Sequence, residues 1–233
     1  MKLLNTRLKN KKILLTGASG RLGQALIPQL FLAGADLSTP DSKTWDITKK
    51  SYPSYLKSWH PELVLHCAAY TDVAGAEKNR GRAVDVNMVG TLNVAQFARK
   101  SNAKFVYISS DYAGNNPMGM YAFTKLAGES FARPCDMVIR TSFKSRGTWG
   151  PNALTKVFHP VYTNADWVDI IAKKIVEAVE KELIGLVCIG TERKTLKDLA
   201  LQEFSDVEEI PVEEADKLLG YHYPRDCCMK LTI

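Results

Sequence analysis

The sequence predicts an α/β fold, a Rossmann-type doubly wound parallel sheet with a small C-terminal lobe. Short apolar runs alternate along the chain with segments whose apolar residues recur at helical spacing. A glycine-rich loop joins the first apolar run to the first helix, and polar side chains directly follow several later runs. Alternating strands and helices indicate a parallel sheet, whose ligands bind beyond the carboxyl ends of the strands.

Each element follows from a local pattern. Residues 12–16 form a β-type run that ends in glycines, and Leu22, Leu26 and Leu30 then recur at helical spacing. Residues 62–69 are almost continuously apolar, as in a strand buried on both faces. The predicted strands are 12–16, a brief one within 33–40, a short extended piece at 45–48, 62–69, 104–109, 137–140 and 186–189. The predicted helices are 21–31, one starting near Lys49, 83–100, 121–131 and 167–183.

The chain of 233 residues fits one domain, and its 45% hydrophobic and 24% charged residues are typical of a globular protein. We therefore interpret residues 1–233 as a single Rossmann domain. The segments 143–164 and 201–233 fit the alternation of strands and helices poorly. We expect them to form a small lobe over the ligand site, on the side where a substrate would bind.

Composition also bears on where the protein works. No segment approaches the roughly 18 apolar residues that a membrane span needs, so we expect no membrane contact. The basic start of the chain lacks the apolar core of a secretory signal. Five cysteines without a regular spacing favour a reducing cytoplasm, and the absence of a CxxC or Cys/His cluster predicts no metal site. A homodimer is one assembly that the sequence allows.

The net charge of +6 raises the question of a nucleic-acid partner. The basic residues are dispersed beyond the N-terminal arm, however, and no stripe of basic and aromatic residues appears. We expect no nucleic acid. A positive protein also suits anionic small molecules such as dinucleotides and nucleotide sugars.

The loop after the first strand has the spacing G-x-x-G-x-x-G. Glycines without side chains let backbone amides approach a pyrophosphate at the start of the first helix. Because the loop lies between a strand and a helix, it predicts a dinucleotide cofactor. The candidate cofactor residues of this loop are Gly17, Ser19, Gly20, Arg21, Leu22 and Gly23.

The sequence is equivocal between NAD(H) and NADP(H). Asp36 lies early in the second strand, whereas Ser38, Thr39 and Lys43 follow it and could accommodate a ribose phosphate. Arg21 could do the same, and NADPH is slightly favoured. Asp46 has two interpretations that the residues alone leave open. It could cap or turn the chain before a helix, or its carboxylate could contact the adenine amino group while Ile47 packs on the ring.

Ser110, Tyr121 and Lys125 form a set suited to hydride transfer to a carbonyl. Tyr121 and Lys125 are four residues apart, and they therefore share one helix face. We expect Tyr121 to donate a proton, Lys125 to lower the tyrosine pKa and hold the nicotinamide ribose, and Ser110 to hydrogen-bond the carbonyl oxygen. Asp111 and Tyr112 would point into the same cleft as substrate contacts. His66 lies in the middle of a strand and is expected to be a core residue.

These motifs resemble the extended short-chain dehydrogenase/reductase superfamily, and within it the dTDP-4-dehydrorhamnose reductase family. The segments that carry the resemblance are TGASGRLG at 16–23, PELVLHCAAYTDV at 61–73, AE at 76–77, Asn87, SSDY at 109–112, YAFTKLAGE at 121–129, RTS at 140–142 and PRD at 224–226. The family reduces the 4-keto group of a nucleotide-linked 6-deoxy sugar with NAD(P)H, on the route to activated rhamnose.

The resemblance implies a role for each matching residue. Ser110, Tyr121 and Lys125 would be catalytic, and Tyr121 and Lys125 would also contact the cofactor. The remaining implied cofactor contacts are Asp46, Ile47, Cys67, Ala68 and Ala69, and the implied substrate contacts are Thr71, Val73, Asp111, Tyr112 and Phe143.

The departures from the family all fall on the substrate side. The loop 113–120 is shorter than usual, Phe143 stands in place of tryptophan, and Ala74 replaces an aspartate. Residues 159–165 stand where the family carries a Gly-Pro-Thr segment. Two alternatives to a sugar-nucleotide reductase therefore remain open. One is an epimerase or combined epimerase/reductase on the same substrates. The other is a noncatalytic NADP-binding regulatory subunit, like the β subunit of methionine adenosyltransferase.

Overall fold

The computed structural model describes residues 6–114, 118–147 and 156–233. Its strands are β1 (Lys12–Thr16), β2 (Asp36–Ser38), β3 (Leu63–His66), β4 (Lys104–Ile108), β5 (Met137–Thr141), β6 (Phe143–Lys144), β7 (Lys156–His159), β8 (Tyr162–Thr163), β9 (Asp166–Trp167), β10 (Gly185–Ile189), β11 (Lys194–Thr195) and β12 (Glu208–Pro211). Its α-helices are α1 (Arg21–Leu32), α2 (Ser54–Trp59), α3 (Val73–Lys78), α4 (Arg80–Val84), α5 (Thr91–Lys100), α6 (Gly119–Glu129), α7 (Val168–Glu180), α8 (Leu196–Leu201) and α9 (Val212–Leu219).

Six parallel strands form the central sheet in the order β10-β5-β4-β3-β1-β2. The register places Thr16 beside His66, and His66 beside Tyr107. The carboxyl ends of the neighbouring strands therefore meet at one edge of the sheet. The predicted Rossmann-type α/β fold is confirmed.

Helices cover both faces of this sheet. On one face, α1 and α7 pack against apolar side chains of β1, β3, β4, β5 and β10, with residues such as Leu26 and Ile175 fully buried. On the other face, side chains such as Leu14, Val64 and Phe105 pack against α2 and α5. Burial on both faces explains why the inner strands are nearly continuous apolar runs.

Two predictions are wrong: the extended piece at 45–48 and the helix starting near Lys49. Residues 42–44 and 47–50 form turns and bends, and the next helix begins at Ser54. Local side-chain hydrogen bonds explain the difference. Asp41 accepts from the Thr44 amide at 2.7 Å, and Asp46 accepts from both the amide and the hydroxyl of Thr48 at 3.1 and 2.7 Å. These bonds give the backbone an alternative to a strand or helix.

The segment 83–100 is helical throughout, as predicted, but it is not a single α-helix. Between α4 and α5, residues Asp85–Gly90 adopt a π-helix. A π-helix rotates the following residues relative to an α-helix, and it frequently occurs at functional sites. Here it buries Asn87, whose amide nitrogen donates to the Tyr70 carbonyl at 3.1 Å and to the Thr124 hydroxyl at 3.0 Å.

Short strand pairs join the segments outside the sheet. β7 pairs with β12, β8 with β11, and β6 with β9. A separate apolar cluster includes Val157, Val161, Val207 and Val212. Residues 148–155, within one of the segments expected to form a lobe, lie outside the described residues. None of the helices in the described part of the chain is both long and apolar enough to span a membrane.

Candidate active site

A cavity of about 510 Å³ opens at the carboxyl ends of the strands, and it brings together the residues that the sequence predicted for the site. Those that line it are Gly17, Ser19, Gly20, Arg21, Leu22, Gly23, Asp46, Ile47, Cys67, Ala68, Ala69, Thr71, Val73, Ser110, Asp111, Tyr112, Tyr121, Lys125 and Phe143. They come from the segments that follow β1, β2, β3, β4 and β5, including the first turns of α1 and α3, and from α6 and β6. The sheet thus brings distant parts of the chain to one place.

The glycine loop forms a cradle that side chains would fill. A Cβ added to Gly17 would lie 2.5 Å from the Ala68 amide nitrogen, and one added to Gly23 would lie 2.3 Å from the Gly17 carbonyl oxygen. Gly17 also has a φ of +71°, which residues with side chains rarely adopt. Gly20 precedes α1, so amides at the start of this helix face the cavity. The cradle fits the pyrophosphate of a dinucleotide.

The end of the cavity near β2 is lined by polar residues. Asp41 and Ser42 line it, and Arg21 reaches it from the glycine loop. Asp36 and Lys43, which the sequence analysis weighed for the choice of cofactor, are not among the described lining residues. Asp46 lies in a turn, while Ile47 is 8% exposed and its carbonyl oxygen accepts from Asn93 at 2.8 Å. Both interpretations of Asp46 therefore fit its position.

Tyr121 and Lys125 project from α6 into the cavity. Asn87 joins this helix, through Thr124, to the turn that carries Tyr70 after β3. Burial raises the pKa of Tyr121 to about 12, against a hydrogen bond with Ser110 that lowers it. The phenol therefore keeps its proton at neutral pH and can act as a donor.

Lys125 is buried, with 3% of the residue exposed. Its Nζ donates to the Ile108 carbonyl at 2.7 Å and lies 4.3 Å from the centre of the Tyr107 ring. Burial lowers the pKa of Lys125 to about 7. The expected lowering of the Tyr121 pKa by Lys125 is not seen, because burial dominates the shift of the phenol and the ammonium is turned to the end of β4.

Ser110 lies where β4 ends and the chain turns. Its Oγ donates to the Asp111 carboxylate at 2.9 Å and accepts from the Tyr112 amide at 3.2 Å. Asp111 is 7% exposed, and burial raises its pKa to about 6. Ser110, Asp111 and Tyr121 therefore form one polar chain at the floor of the cavity.

This combination of a glycine cradle and a Ser/Tyr/Lys set matches a known family. A family model described as the RmlD substrate binding domain matches residues 11–176. The chain belongs to this family. The resemblance indicated by the motifs is thereby confirmed.

Two relatives and one solved structure illustrate the likeness. The chain is 33% identical over 162 residues to the dTDP-4-dehydrorhamnose reductase of Mycobacterium tuberculosis, a match that covers 61% of this chain and 53% of the relative. It is 29% identical to the enzyme of that name from Aggregatibacter actinomycetemcomitans, over 94% of this chain and 74% of the relative. The match spans about half the length of the mycobacterial relative.

The solved structure is that of dTDP-4-dehydrorhamnose reductase from Bacillus anthracis in complex with NADP. It superposes with a TM-score of 0.82 at 26% identity, and the match covers 96% of this chain and 91% of that one. The sheet, the glycine loop and the tyrosine helix of the RmlD-family chain thus belong to a fold that binds a dinucleotide in a relative.

Sequence reasoning missed three contributors to the site of this RmlD-family chain. Lys144, on β6, lines the cavity near Asp111, and burial lowers its pKa. Ser142 hydrogen-bonds Asp111. Tyr223, from the C-terminal segment, hydrogen-bonds the hydroxyl of Tyr112. A lysine two residues after the strand-end RTS motif was a usable signal, whereas nothing in the local sequence marks Tyr223.

A buried ion pair supports the floor of the site and was also missed. Arg140 on β5 binds Glu129 on α6 through two hydrogen bonds of 2.8 Å. The Ser109 hydroxyl donates to the same carboxylate at 2.6 Å. The pair therefore joins the last turn of α6 to the ends of β4 and β5, and it sets the position of the residue before Ser110.

His66 has the structural role that was expected. Its side chain is fully buried, Nδ1 lies 2.7 Å from the Thr16 hydroxyl, and Nε2 lies 3.1 Å from the Thr91 hydroxyl. Burial lowers the pKa of His66 to about 3, so the ring is neutral. Across the described ranges, no group of three or more His, Cys, Asp or Glu side chains could hold a metal ion.

Proposed function

We propose that the protein reduces the 4-keto group of a nucleotide-linked 6-deoxy sugar, with NADPH as the reductant. One observation carries this proposal. Ser110, Tyr121 and Lys125 converge in the same cavity as the glycine cradle, so a carbonyl beside the phenol would also lie beside a dinucleotide. The names of its relatives, dTDP-4-dehydrorhamnose reductases, support the class of substrate.

NADPH, when bound, supplies the hydride. The chain supplies the other elements of the reaction. Tyr121 donates its phenol proton to the carbonyl oxygen as negative charge develops there. Ser110 hydrogen-bonds the same oxygen, and its hydrogen bond with Tyr121, which lowers the pKa of the phenol, also favours the phenolate that remains. Thr71, Val73 and Phe143 line the space next to Tyr121 and would hold the sugar.

Two features support NADPH over NADH. The relative from Bacillus anthracis was solved in complex with NADP. In the present chain, Arg21 and Ser42 line the cavity and could contact a ribose phosphate. Asp41 also lines this part of the cavity. The cofactor preference therefore depends on the attraction of a ribose phosphate by Arg21 against its repulsion by the Asp41 carboxylate.

The proposal extends to the surroundings of the site. The segments 143–164 and 201–233 would form the substrate-side lobe, and the protein would act in the cytoplasm on a soluble substrate without a nucleic-acid partner. A homodimer is the assembly that we propose. Phe123 on α6 and Val89 on the π-helix, which packs against α6, are 52% and 39% exposed and could pair with a second copy. Light scattering of the purified protein tests this assembly.

Substitution of Tyr121 by Phe tests the reductase. Purified protein should consume NADPH in the presence of a dTDP- or UDP-linked 4-keto-6-deoxyhexose. The kcat of the Tyr121→Phe variant should be about 10²- to 10⁴-fold lower than that of the wild type, because the phenol supplies the proton. Its NADPH affinity should equal that of the wild type, because the glycine cradle that would hold the cofactor is unchanged. The matched control is Tyr162→Phe, since Tyr162 stacks under Arg193 away from the cavity.

Product analysis separates the alternatives. A reductase yields one alcohol for each NADPH consumed, whereas an epimerase changes sugar stereochemistry without net consumption. A wild type that binds NADPH but turns over none of these sugars would contradict the proposal and favour a regulatory subunit.

A further inference from the structure

A second cavity of about 570 Å³ lies behind the active site. Its walls come from the end of β5, from β10 and from the C-terminal segment, including Arg140, Cys188 and Tyr223. Of the described lining residues, Asp111 and Tyr112 are the ones shared by both cavities. These two residues therefore form part of the wall between the active site and the second cavity.

Asp111 is joined to the candidate proton donor by a short chain of hydrogen bonds. The Tyr121 phenol hydrogen-bonds with Ser110, and the Ser110 hydroxyl donates to the Asp111 carboxylate at 2.9 Å. The Tyr112 amide donates to the same carboxylate oxygen at 2.9 Å. The carboxyl group thus lies one hydroxyl away from the phenol, in the wall that the two cavities share.

We propose that Asp111 returns a proton to Tyr121 through the Ser110 hydroxyl, and that Asp111 is then reprotonated from the second cavity. This inference rests on the proposed reduction, in which Tyr121 gives up its proton in every turnover. Substrate and cofactor would fill the first cavity at that moment. The second cavity gives Asp111 an approach for water that does not pass through them.

The transfer balances as two proton movements. The O–H bond of the Asp111 carboxylic acid breaks, and its proton binds the Ser110 oxygen. The original Ser110 O–H bond breaks at the same time, and that proton binds the Tyr121 phenolate. Ser110 is unchanged, Asp111 becomes a carboxylate, and a hydronium ion or buffer acid that reaches it through the second cavity then protonates it. No electrons move, and the cycle takes up one solvent proton per turnover, which is the proton that the reduction consumes.

Asp111 acts through Ser110, so it is a positioning and relay residue rather than a catalytic one. The protonation state of Asp111 also decides which group can accept the Ser110 hydrogen. As a carboxylate, Asp111 accepts the Ser110 hydrogen, as the structure has it. As an acid, it would donate to Ser110 and leave the serine hydrogen free for the carbonyl oxygen or the phenolate.

The groups around Asp111 set the pH at which this exchange occurs. Burial raises the pKa of Asp111 to about 6, while the Ser110 hydrogen bond and the Lys144 cation lower it. The titratable and charged groups that face it from neighbouring elements are Lys144 on β6, Tyr121 on α6, Tyr112 beside it, and Tyr223 and Cys227 in the C-terminal segment. Arg21 faces Lys144 from the glycine loop.

Two variants test the relay in the full-length protein. Asp111→Asn cannot deliver a proton, so its kcat should fall about 100-fold while its NADPH affinity stays unchanged. The wild-type kcat should fall as the pH rises through about 6, because Asp111 then stays deprotonated, and this fall should be absent in Asp111→Asn. Asp206→Asn, at an exposed position, is the matched control and should behave as the wild type.

Lys144→Met should shift the pH midpoint of kcat, which a structural defect would not do. Loss of the cation should raise the Asp111 pKa, so the fall of kcat should move to higher pH. The carboxyl ¹³C signal of Asp111 in the free protein, assigned by its absence in Asp111→Asn, should move its midpoint in the same direction. The two midpoints should shift together in Lys144→Met.

The outcomes separate this inference from the proposed function. A wild type without turnover would refute the reductase. A wild type that turns over sugar while Asp111→Asn keeps its kcat and pH profile would refute the relay alone. A ¹³C midpoint that moves in Lys144→Met while the pH profile of kcat stays in place would also overturn it.

Discussion

The buried pair between Glu129 and Arg140 gives a sharp test of how the site is held together. Glu129→Gln removes the negative charge but keeps the size of the side chain. Arg140 would then remain at the end of β5 with 17% of its side chain exposed and without a carboxylate partner. The Ser109 hydroxyl would also lose its charged acceptor.

The expected loss of stability follows from this geometry. Removal of one partner from a buried ion pair costs about 3–5 kcal/mol, and the lower value applies here because neither side chain is fully buried. For a protein of this size, about 3 kcal/mol corresponds to a fall in Tm of about 6–12 °C. The measurement is the free energy of unfolding in urea, together with thermal unfolding followed by circular dichroism.

Glu177→Gln is the control with the same chemical change. Glu177 pairs with Lys181 on the surface of α7, where the two side chains are 47% and 55% exposed. Such a pair contributes about 0.3–0.5 kcal/mol. If Glu129→Gln cost no more than Glu177→Gln, the argument that this ion pair fixes α6 against β4 and β5 would be refuted. A double variant with Arg140→Met should recover part of the loss, because the unpaired buried charge is then gone.

Two further predictions concern the cradle and the core histidine. Gly17→Ala should cost about 2 kcal/mol or more and weaken NADPH binding, since the position has a φ of +71° and a Cβ would lie 2.5 Å from the Ala68 amide nitrogen. Gly81→Ala, with open space around it, should be nearly neutral in the same urea and NADPH titrations. His66 has a pKa lowered to about 3 in the folded protein, against about 6.5 when unfolded, so the unfolded chain binds the extra proton. Stability should therefore fall by about 1.4 kcal/mol between pH 7.5 and 5.5 from this group, and urea unfolding of His66→Gln should lack that part of the loss.

Much of the fold could be predicted because its signals are local. The glycine loop lies between an apolar run and a helix, and Tyr121 and Lys125 share a face through helical spacing alone. Boundaries were less accurate. Side chains of Asp41 and Asp46 turn the chain where a strand was expected, and a π-helix interrupts the segment 83–100. The turns depend on side-chain hydrogen bonds, which apolar periodicity does not report.

The sequence by itself determined the parallel α/β sheet, through the alternation of strands and helices along the chain. It also marked the cradle and the Ser/Tyr/Lys set, through spacing within short segments. The tertiary structure alone decided what surrounds them. Tyr112 meets Tyr223 across 111 residues of sequence, and Ser109 meets Glu129 across 20. The wall between the two cavities, the Lys144 cation near Asp111 and the shifted pKa values all depend on burial. The burial of these polar groups depends on distant segments that pack together, which apolar periodicity does not report.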